Sequence, residues 1–186
     1  MRNHKMSRRA QSGFTLLEVM VAGLVMVTGV LGVAVMLATG MAYMNTSQLD
    51  YIAQQKAAEA VESIFTARDM GQATWTTICN VGSSVCSSGI FVAGPVSLCD
   101  PGPDGIVGTA DDNCNLPDSI LQPNGNTINN VTNSRIPLSD YNFQRTITIS
   151  SYPNMLNLRQ IQVIITYKAG RFNKTYTLTT SISNFS

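Results

Sequence analysis

The chain has 186 residues, a length that fits one domain with an anchor, and its formal net charge is +1. Four of its twelve Lys and Arg residues fall within the first nine positions, so the remaining chain carries eight bases against eleven acids. No basic patch follows that segment, which argues against nucleic-acid binding. The one histidine, His4, lies in the same segment. We therefore expect no Ser–His or Cys–His catalytic pair beyond it, and no enzyme.

A long apolar segment follows the basic residues. From Phe14 through Ala42, Glu18 is the only residue that can carry a charge. A segment of this length and composition crosses a bilayer as a helix, and we assign residues 14–44 to it. Because the preceding segment, 1–13, contains Lys and Arg but no acid, the positive-inside rule keeps it in the cytoplasm and places the rest of the chain outside.

Two features of this segment need an explanation. A carboxylate in hydrocarbon costs about 3 kcal/mol or more, so Glu18 either lies near the interface and snorkels to water or has a partner there. The small residue Gly13 precedes the apolar run, whereas a secretory signal has its cleavage site on the far side. A cut after Gly13 would leave the helix on the mature protein and make Phe14 its first residue.

The stretch Gly13-Phe14-Thr15-Leu16-Leu17-Glu18-Val19, with the basic leader and the apolar helix, resembles the type IV prepilin family. The resemblance implies that a prepilin peptidase removes the leader 1–13 and methylates the new amine on Phe14. It also implies that Glu18 meets the terminal amine of a neighbouring subunit during assembly. It covers about the first third of the chain.

Within that family, the stretch 27–32 is most similar to PilV-type minor pilins. Many major pilins bend this helix at a proline, and none occurs here between Phe14 and Met44. The glycines at positions 23, 29 and 32 either take that role or permit close packing of helices in the membrane.

The resemblance implies a minor type IV pilin that waits in the inner membrane and is then assembled into a pilus on the cell surface. Its implied partners are the prepilin peptidase, the major pilin, other minor pilins and the inner-membrane assembly platform. One alternative is a type II secretion pseudopilin, which shares the leader and the helix. Another, of a different class, is a membrane-tethered binding module or adhesin that uses its loop-rich middle.

Helical periodicity continues from residue 45 to residue 70. Apolar residues there form one stripe, and no Pro or Gly interrupts the passage before Gly71, which is a plausible stop. We therefore predict one continuous helix of more than 50 residues. The stripe consists of Leu49, Ile52, Ala53, Ala57, Ala60, Val61, Ile64 and Phe65.

Residues 71–140 are rich in turn formers and contain all four cysteines. A domain exported from the cytoplasm meets oxidising conditions, so disulfides are favoured over metal ligands. Four cysteines allow three pairings. We favour Cys79 with Cys86 and Cys99 with Cys114, because each pair brackets one compact loop; a zinc site is the alternative, although the spacing does not suit one.

The second cysteine pair encloses an Asp-rich loop close to the register of a calcium loop. Gly102 at the third ligand position offers no side chain, and Asp111 is shorter than the usual Glu. No Lys or Arg occurs between Arg68 and Arg135, so the acids need a cation or full solvation. Either weak calcium binding or a solvated turn fits, and with calcium Val107 should point into the domain. The candidate ligands are Asp100, Asp104, the carbonyl of Ile106, Asp111 and Asp112.

Residues 141–186 alternate between apolar and polar side chains in three runs, which predicts three strands with one buried face. The connections at Pro153-Asn154 and Ala169-Gly170 are short enough for hairpins, so we predict an antiparallel meander. The helical stripe is the expected cover of its apolar face. The predicted fold class is α+β, type IV pilin-like. The alternating residues are Ile147, Ile149, Ile161, Val163, Ile165, Tyr167, Tyr176, Leu178 and Ile182.

Overall fold

The structure is a computed structural model that describes residues 13–117, 119–122 and 134–184. Leader residues 1–12 lie outside the described residues. The chain divides into two compact units between Met44 and Asn45, the position at which the apolar segment was predicted to end.

Helix α1 runs from Leu16 to Asp69 and has 54 residues, so the prediction of one helix longer than 50 residues is confirmed. It is long and apolar enough to cross a membrane. The amide of Gly71 donates to the carbonyl of Arg68, and the amide of Gln72 donates to that of Ala67. With Gly71 at a φ of 73°, this is the Schellman arrangement, in which glycine adopts the left-handed conformation at no steric cost.

In the first unit the apolar side chains of α1 are exposed, from Phe14 and Leu16 to Tyr43 and Met44. In the second unit the predicted stripe faces the core. Its residues are buried except Val61 and Phe65, which are partly buried and packed against the core. Three alanines on the stripe, at positions 53, 57 and 60, are fully buried, and small side chains let a helix approach a sheet closely.

The described part of the second unit contains short strands before residue 141 and long strands after it. The strands are β1 (Val96–Ser97), β2 (Cys99–Asp100), β3 (Asn113–Pro117), β4 (Ser119–Gln122), β5 (Ser134–Pro137), β6 (Gln144–Tyr152), β7 (Met155–Ala169) and β8 (Phe172–Ser183), with a 3-10 helix at Leu138–Tyr141. The three predicted strands, β6, β7 and β8, form the antiparallel meander, and β1 adds a fourth strand in the order β1-β6-β7-β8.

Two-residue turns join the strands of the meander. Asn154 and Gly170, one in each turn, have φ values of 64° and 63°, the left-handed region that tight hairpins require. Strand β2 pairs with β3, and β4 pairs with β5, in two small sheets that the sequence analysis did not predict. Strands of two to five residues are too short for alternation to reveal them.

The core of the second unit lies between the stripe of α1 and one face of the long sheet. Ile147, Ile149, Ile161, Val163 and Ile165 are each at most 3% exposed. The architecture is therefore α+β, with a long N-terminal helix packed on an antiparallel sheet.

Candidate functional site

The first candidate site is the start of α1. The amide of Glu18 lies 3.0 Å from the carbonyl oxygen of Thr15 and 3.4 Å from its hydroxyl. In return, Glu18 Oε2 lies 3.5 Å from both the amide and the hydroxyl of Thr15. This reciprocal arrangement is a capping box, with Thr15 as N-cap and Glu18 two residues into the helix from Leu16. A carboxylate there also faces the positive end of the helix dipole.

The predicted cleavage residues lie just before this cap. Gly13 and Phe14 are exposed and precede α1, and the Phe14 side chain is 82% exposed. A processing enzyme needs such a backbone, because a peptide bond inside a helix is held by the helical hydrogen bonds.

The apolar segment of α1, from Leu16 to Met44, carries few polar side chains. The Thr28 hydroxyl lies 3.1 Å from the carbonyl oxygen of Leu24, and the Thr39 hydroxyl lies 3.0 Å from that of Val35. Both hydroxyls are therefore satisfied within the helix, as a lipid environment requires. The chain stays helical through the glycines at 23, 29 and 32, and a Cβ at each would touch nothing within this single chain.

The Asp-rich loop, residues 100–112, is the second candidate site. It connects β2 to β3, and the Cys99–Cys114 disulfide closes its base. Asp104 Oδ1 accepts the amide of Ile106 at 2.8 Å, and Asp112 Oδ2 accepts that of Gly108 at 2.8 Å. These carboxylates therefore order the backbone of their own loop.

Two further candidate ligands, Asp111 and the carbonyl of Ile106, contact the Thr109 hydroxyl. This hydroxyl lies 2.6 Å from Asp111 Oδ1 and 3.0 Å from the carbonyl oxygen of Ile106. Gly102 packs so closely on Asp111 that a Cβ there would overlap its carboxylate. Asp100 is exposed. Val107 is 2% exposed and lies in the core, so its side chain points into the domain, as predicted.

Arg145 on β6 supplies a positive charge to this loop. Its Nη2 atom lies 3.5 Å from Asp112 Oδ2, with the two side chains 1% and 8% exposed. The sequence predicts that only a bound cation or solvent compensates the negative charge of these acids. That prediction is wrong for Asp112, because Arg145, 33 positions away in the sequence, lies beside it on β6. Burial raises the pKa of Asp112, and the hydrogen bond from Gly108 and the charge of Arg145 oppose that rise.

In the described ranges, no group of three or more His, Cys, Asp or Glu side chains is arranged to hold a metal ion. Calcium binding, with Asp100, Asp104, Ile106, Asp111 and Asp112 as ligands, therefore stays a prediction.

The cysteines form two disulfides, Cys79–Cys86 and Cys99–Cys114, which are the two pairs that the sequence favoured. Because every cysteine is in a disulfide, none is left to act as a zinc ligand.

Sequence reasoning missed the residue that holds the first disulfide loop. The buried guanidinium of Arg159 on β7 donates to the carbonyls of Trp75, Ile78 and Val85. It also lies 4.0 Å from the centre of the Trp75 ring, a cation–π contact. Burial lowers the pKa of Arg159. One side chain thus fixes three points of the segment around Cys79–Cys86.

The side chain of Asn80 forms hydrogen bonds with the backbone at the open edge of β6, where no described strand pairs with it. Its side-chain amide donates to the carbonyl of Ile147 at 2.7 Å, and its side-chain oxygen accepts the amide of Ile149 at 2.8 Å. Strand β1 pairs only with Gln144 and Arg145, so it leaves this part of the edge open. Asn80 satisfies backbone groups that burial would otherwise leave without partners.

A polar cluster joins the start of the second unit to the sheet. The Tyr167 hydroxyl donates to Asp50 on α1, and Lys174 Nζ lies 2.9 Å from Asp50 Oδ2. The hydrogen bond from Tyr167, followed by the bond and charge of Lys174, lowers the pKa of Asp50 against the opposing effect of burial. Burial and the Asp50 carboxylate raise the pKa of Tyr167.

Comparison with known proteins adds no relative: no family model, no curated protein and no solved structure matches the chain.

Proposed function

We propose that the protein is a minor type IV pilin, held in the inner membrane with its C-terminus outside the cytoplasm and then assembled into a pilus on the cell surface. The observation that carries the proposal is the start of α1. The helix begins at Leu16, two residues after the Gly13-Phe14 pair, and Glu18 stands in its first turn. An apolar, exposed segment follows, and then an amphipathic segment packed on an antiparallel sheet.

Each part has a role in the proposal. The prepilin peptidase cuts after Gly13 and methylates the amine of Phe14. The apolar helix holds the chain in the bilayer, where the assembly platform engages it, and later packs against the major pilin and other minor pilins.

Glu18 is proposed to guide assembly through its carboxylate. In the single chain, its contacts with Thr15 are at the outer limit of hydrogen-bond distance, so little is lost when they are exchanged. In a filament core the carboxylate loses water, at a cost of several kcal/mol, unless a positive group pairs with it. The α-amine of a neighbouring Phe14 is such a group.

The experiment compares Glu18→Ala with Thr15→Ala as its matched control. Both substitutions disrupt the capping box, which costs at most about 1 kcal/mol because its hydrogen bonds are long, but only the first removes the carboxylate. We expect Glu18→Ala to insert into membranes at least as well as wild type and to enter fibres poorly, while Thr15→Ala enters fibres normally. Equal losses for the two variants would show that Glu18 acts only as a cap.

The other two candidates share this anchor. A type II secretion pseudopilin differs in the fibre that it joins, so incorporation of the chain into secretion pseudopili, with none into pili, would favour it. For the adhesin, removal of the whole cysteine region is a poor test because Phe91, Leu98 and Val107 lie in the core. Val81→Asp on the exposed disulfide loop is better, since Val81 is 54% exposed. Normal pili with lost adhesion would favour the adhesin.

We also propose that the Asp-rich loop binds calcium weakly. The close approach of Gly102 to Asp111 supports this, because it folds the first half of the loop against Asp111, the twelfth position of the calcium register. The acids that Arg145 does not reach, Asp100 and Asp104, would complete the site.

A further inference from the structure

The turn between β7 and β8 gathers basic side chains. Lys168, Arg171 and Lys174 occur within seven residues of one hairpin, which we call the basic hairpin, residues 168–174. The side chains of Lys168 and Arg171 are exposed and have no hydrogen-bond or ion-pair partner in the described ranges. Lys174 is paired with Asp50, so the hairpin carries two uncompensated positive charges.

The other bases whose side chains the structure describes in the second unit are engaged elsewhere. Arg145 and Arg159 are buried, Lys56 pairs with Glu59, and Arg68 pairs with Asp69. Among these described side chains, the basic hairpin therefore holds the free positive charge, in a unit that has more acids than bases.

The hairpin is tied to the chain close to the end of the apolar segment. Tyr167 and Lys174 both bond to Asp50. Asp50 follows Met44 by six residues, which span at most about 20 Å even when fully extended. With residues 14–44 in a bilayer, the hairpin thus stays within reach of the bilayer surface.

Exposed aromatic residues occur in the hairpin and beside Asp50. Phe172 in the hairpin is 75% exposed, and Tyr51, which follows Asp50 on α1, is 66% exposed. Aromatic side chains at the ends of a membrane segment favour the headgroup region, where their rings are partly in lipid.

The opposite end of β7 provides a contrast. The turn between β6 and β7 also exposes apolar side chains, with Met155 at 56% and Leu156 at 90%. No Lys or Arg occurs in residues 153–158, and the 15 residues of β7 place this turn roughly 50 Å away along the strand. Exposed apolar groups occur at both ends, but positive charge occurs at only one.

We propose that the basic hairpin docks on anionic lipid headgroups at the surface of the bilayer that holds residues 14–44. Lys168 and Arg171 supply the attraction to phosphate groups, and Phe172 enters the interface beside them. The proposal rests on the membrane anchorage of the proposed function but not on assembly into a pilus. We expect the two uncompensated cations to make the ratio of docked to undocked hairpin roughly 25-fold higher on anionic membranes than on neutral ones.

The test uses the full chain in vesicles of phosphatidylcholine, with or without about one third phosphatidylglycerol. A spin label is attached at Asn173→Cys in the hairpin and, as the matched control, at Leu156→Cys in the opposite turn. Accessibility of each label to a water-soluble nickel chelate is measured after the vesicles have been floated. The variant Lys168→Gln with Arg171→Gln is measured in parallel.

We expect phosphatidylglycerol to lower the accessibility of the label at position 173, with no change at position 156 and no effect in the double variant. If the chain floats but the label at 173 is equally accessible in both vesicles, the docking proposal is wrong and the anchorage stands. Protection that follows the protein-to-lipid ratio rather than the lipid charge would mean that a second copy covers the hairpin, which also overturns the proposal. A chain that does not float with the vesicles contradicts the anchorage and the docking together.

Discussion

Two arginines on the buried face of the sheet connect the long strands to the irregular middle of the chain. Arg145 reaches Asp112 in the Asp-rich loop, and Arg159 reaches three carbonyls around the first disulfide. Each neutralises or satisfies groups that a loop folded on a core would otherwise bury without partners. The loops are thereby positioned by the sheet.

The alternation that predicted the strands also places these two arginines on the buried face. Arg145 is in phase with Ile147 on β6, and Arg159 is in phase with Ile161 on β7. A charged residue on the buried face of a strand needs a partner, and each strand offered one such residue. The partners themselves were not predictable, since the carbonyls of Trp75 and Val85 carry no sequence signal.

Arg159→Met tests the role of this side chain. We expect it to lower the free energy of unfolding by roughly 2 to 3 kcal/mol, because it leaves carbonyls that were paired in the core without donors. The measurement is a urea titration of the full chain in detergent, followed by the fluorescence of Trp75, the single tryptophan. Arg171→Met, at an exposed position, should change stability by no more than about 0.5 kcal/mol. If Arg159→Met is as stable as wild type or more stable, the desolvation cost of the buried charge is at least as large as the stabilisation from its hydrogen bonds.

Asp50 predicts a dependence of stability on pH. Its pKa is lowered from 3.8 in the folded chain, so its carboxylate stabilises the fold above that pH, and the contribution is lost as the pH falls through the folded pKa. We expect Asp50→Asn to cost about 1 kcal/mol at pH 7, a value reduced for the partial exposure of the pair.

The difference between wild type and Asp50→Asn should then narrow in thermal unfolding measured below pH 3.8. Asp69→Asn, which removes a surface ion pair with its neighbour Arg68, serves as the control and should have little effect. A cost for Asp50→Asn that is the same at pH 3 and pH 7 would contradict a role for its charge.

Among the elements, α1 and the three long strands followed directly from periodicity. They are long enough for a repeat to emerge, and their buried faces meet each other, so local pattern and tertiary packing agree. Strands β1 to β5 have two to five residues each and depend on partners distant in sequence, as in the pairing of Cys99 with Pro117. Their existence is a product of the tertiary fold, which periodicity does not report.

The Asp-rich loop is an element ordered by contacts of its own side chains. Its acids bond to their own backbone and to Arg145, which gives the loop order without a metal. We expect calcium in the millimolar range to raise the melting temperature of the disulfide-bonded chain, since Asp104 and Asp111 still offer free lone pairs.

The calcium test compares wild type with Asp104→Ala in detergent. The variant should lose the calcium-dependent gain and remain folded without calcium; Asp69→Ala, an acid outside the loop, should keep the gain. If the melting temperature does not change up to about 10 mM calcium, the loop does not bind calcium, and its acids serve only to bond their own backbone and Arg145.

The whole molecule combines an apolar helical segment, long enough to cross a membrane, with a domain built on a helix and an antiparallel sheet. The boundary between Met44 and Asn45 separates exposed apolar residues from a unit with its own core. Glu18 illustrates what the sequence alone could not separate: the structure gives it a cap within its own chain, while the resemblance to prepilins gives it a partner in another.

The most direct test of the central claim is the intact mass of the protein isolated from the cells that make it. The account predicts a chain of 173 residues, the 186 without the 13 of the leader, that begins at N-methylated Phe14. A protein that keeps its leader, or one cut on the far side of the apolar segment after Met44, would contradict the pilin proposal.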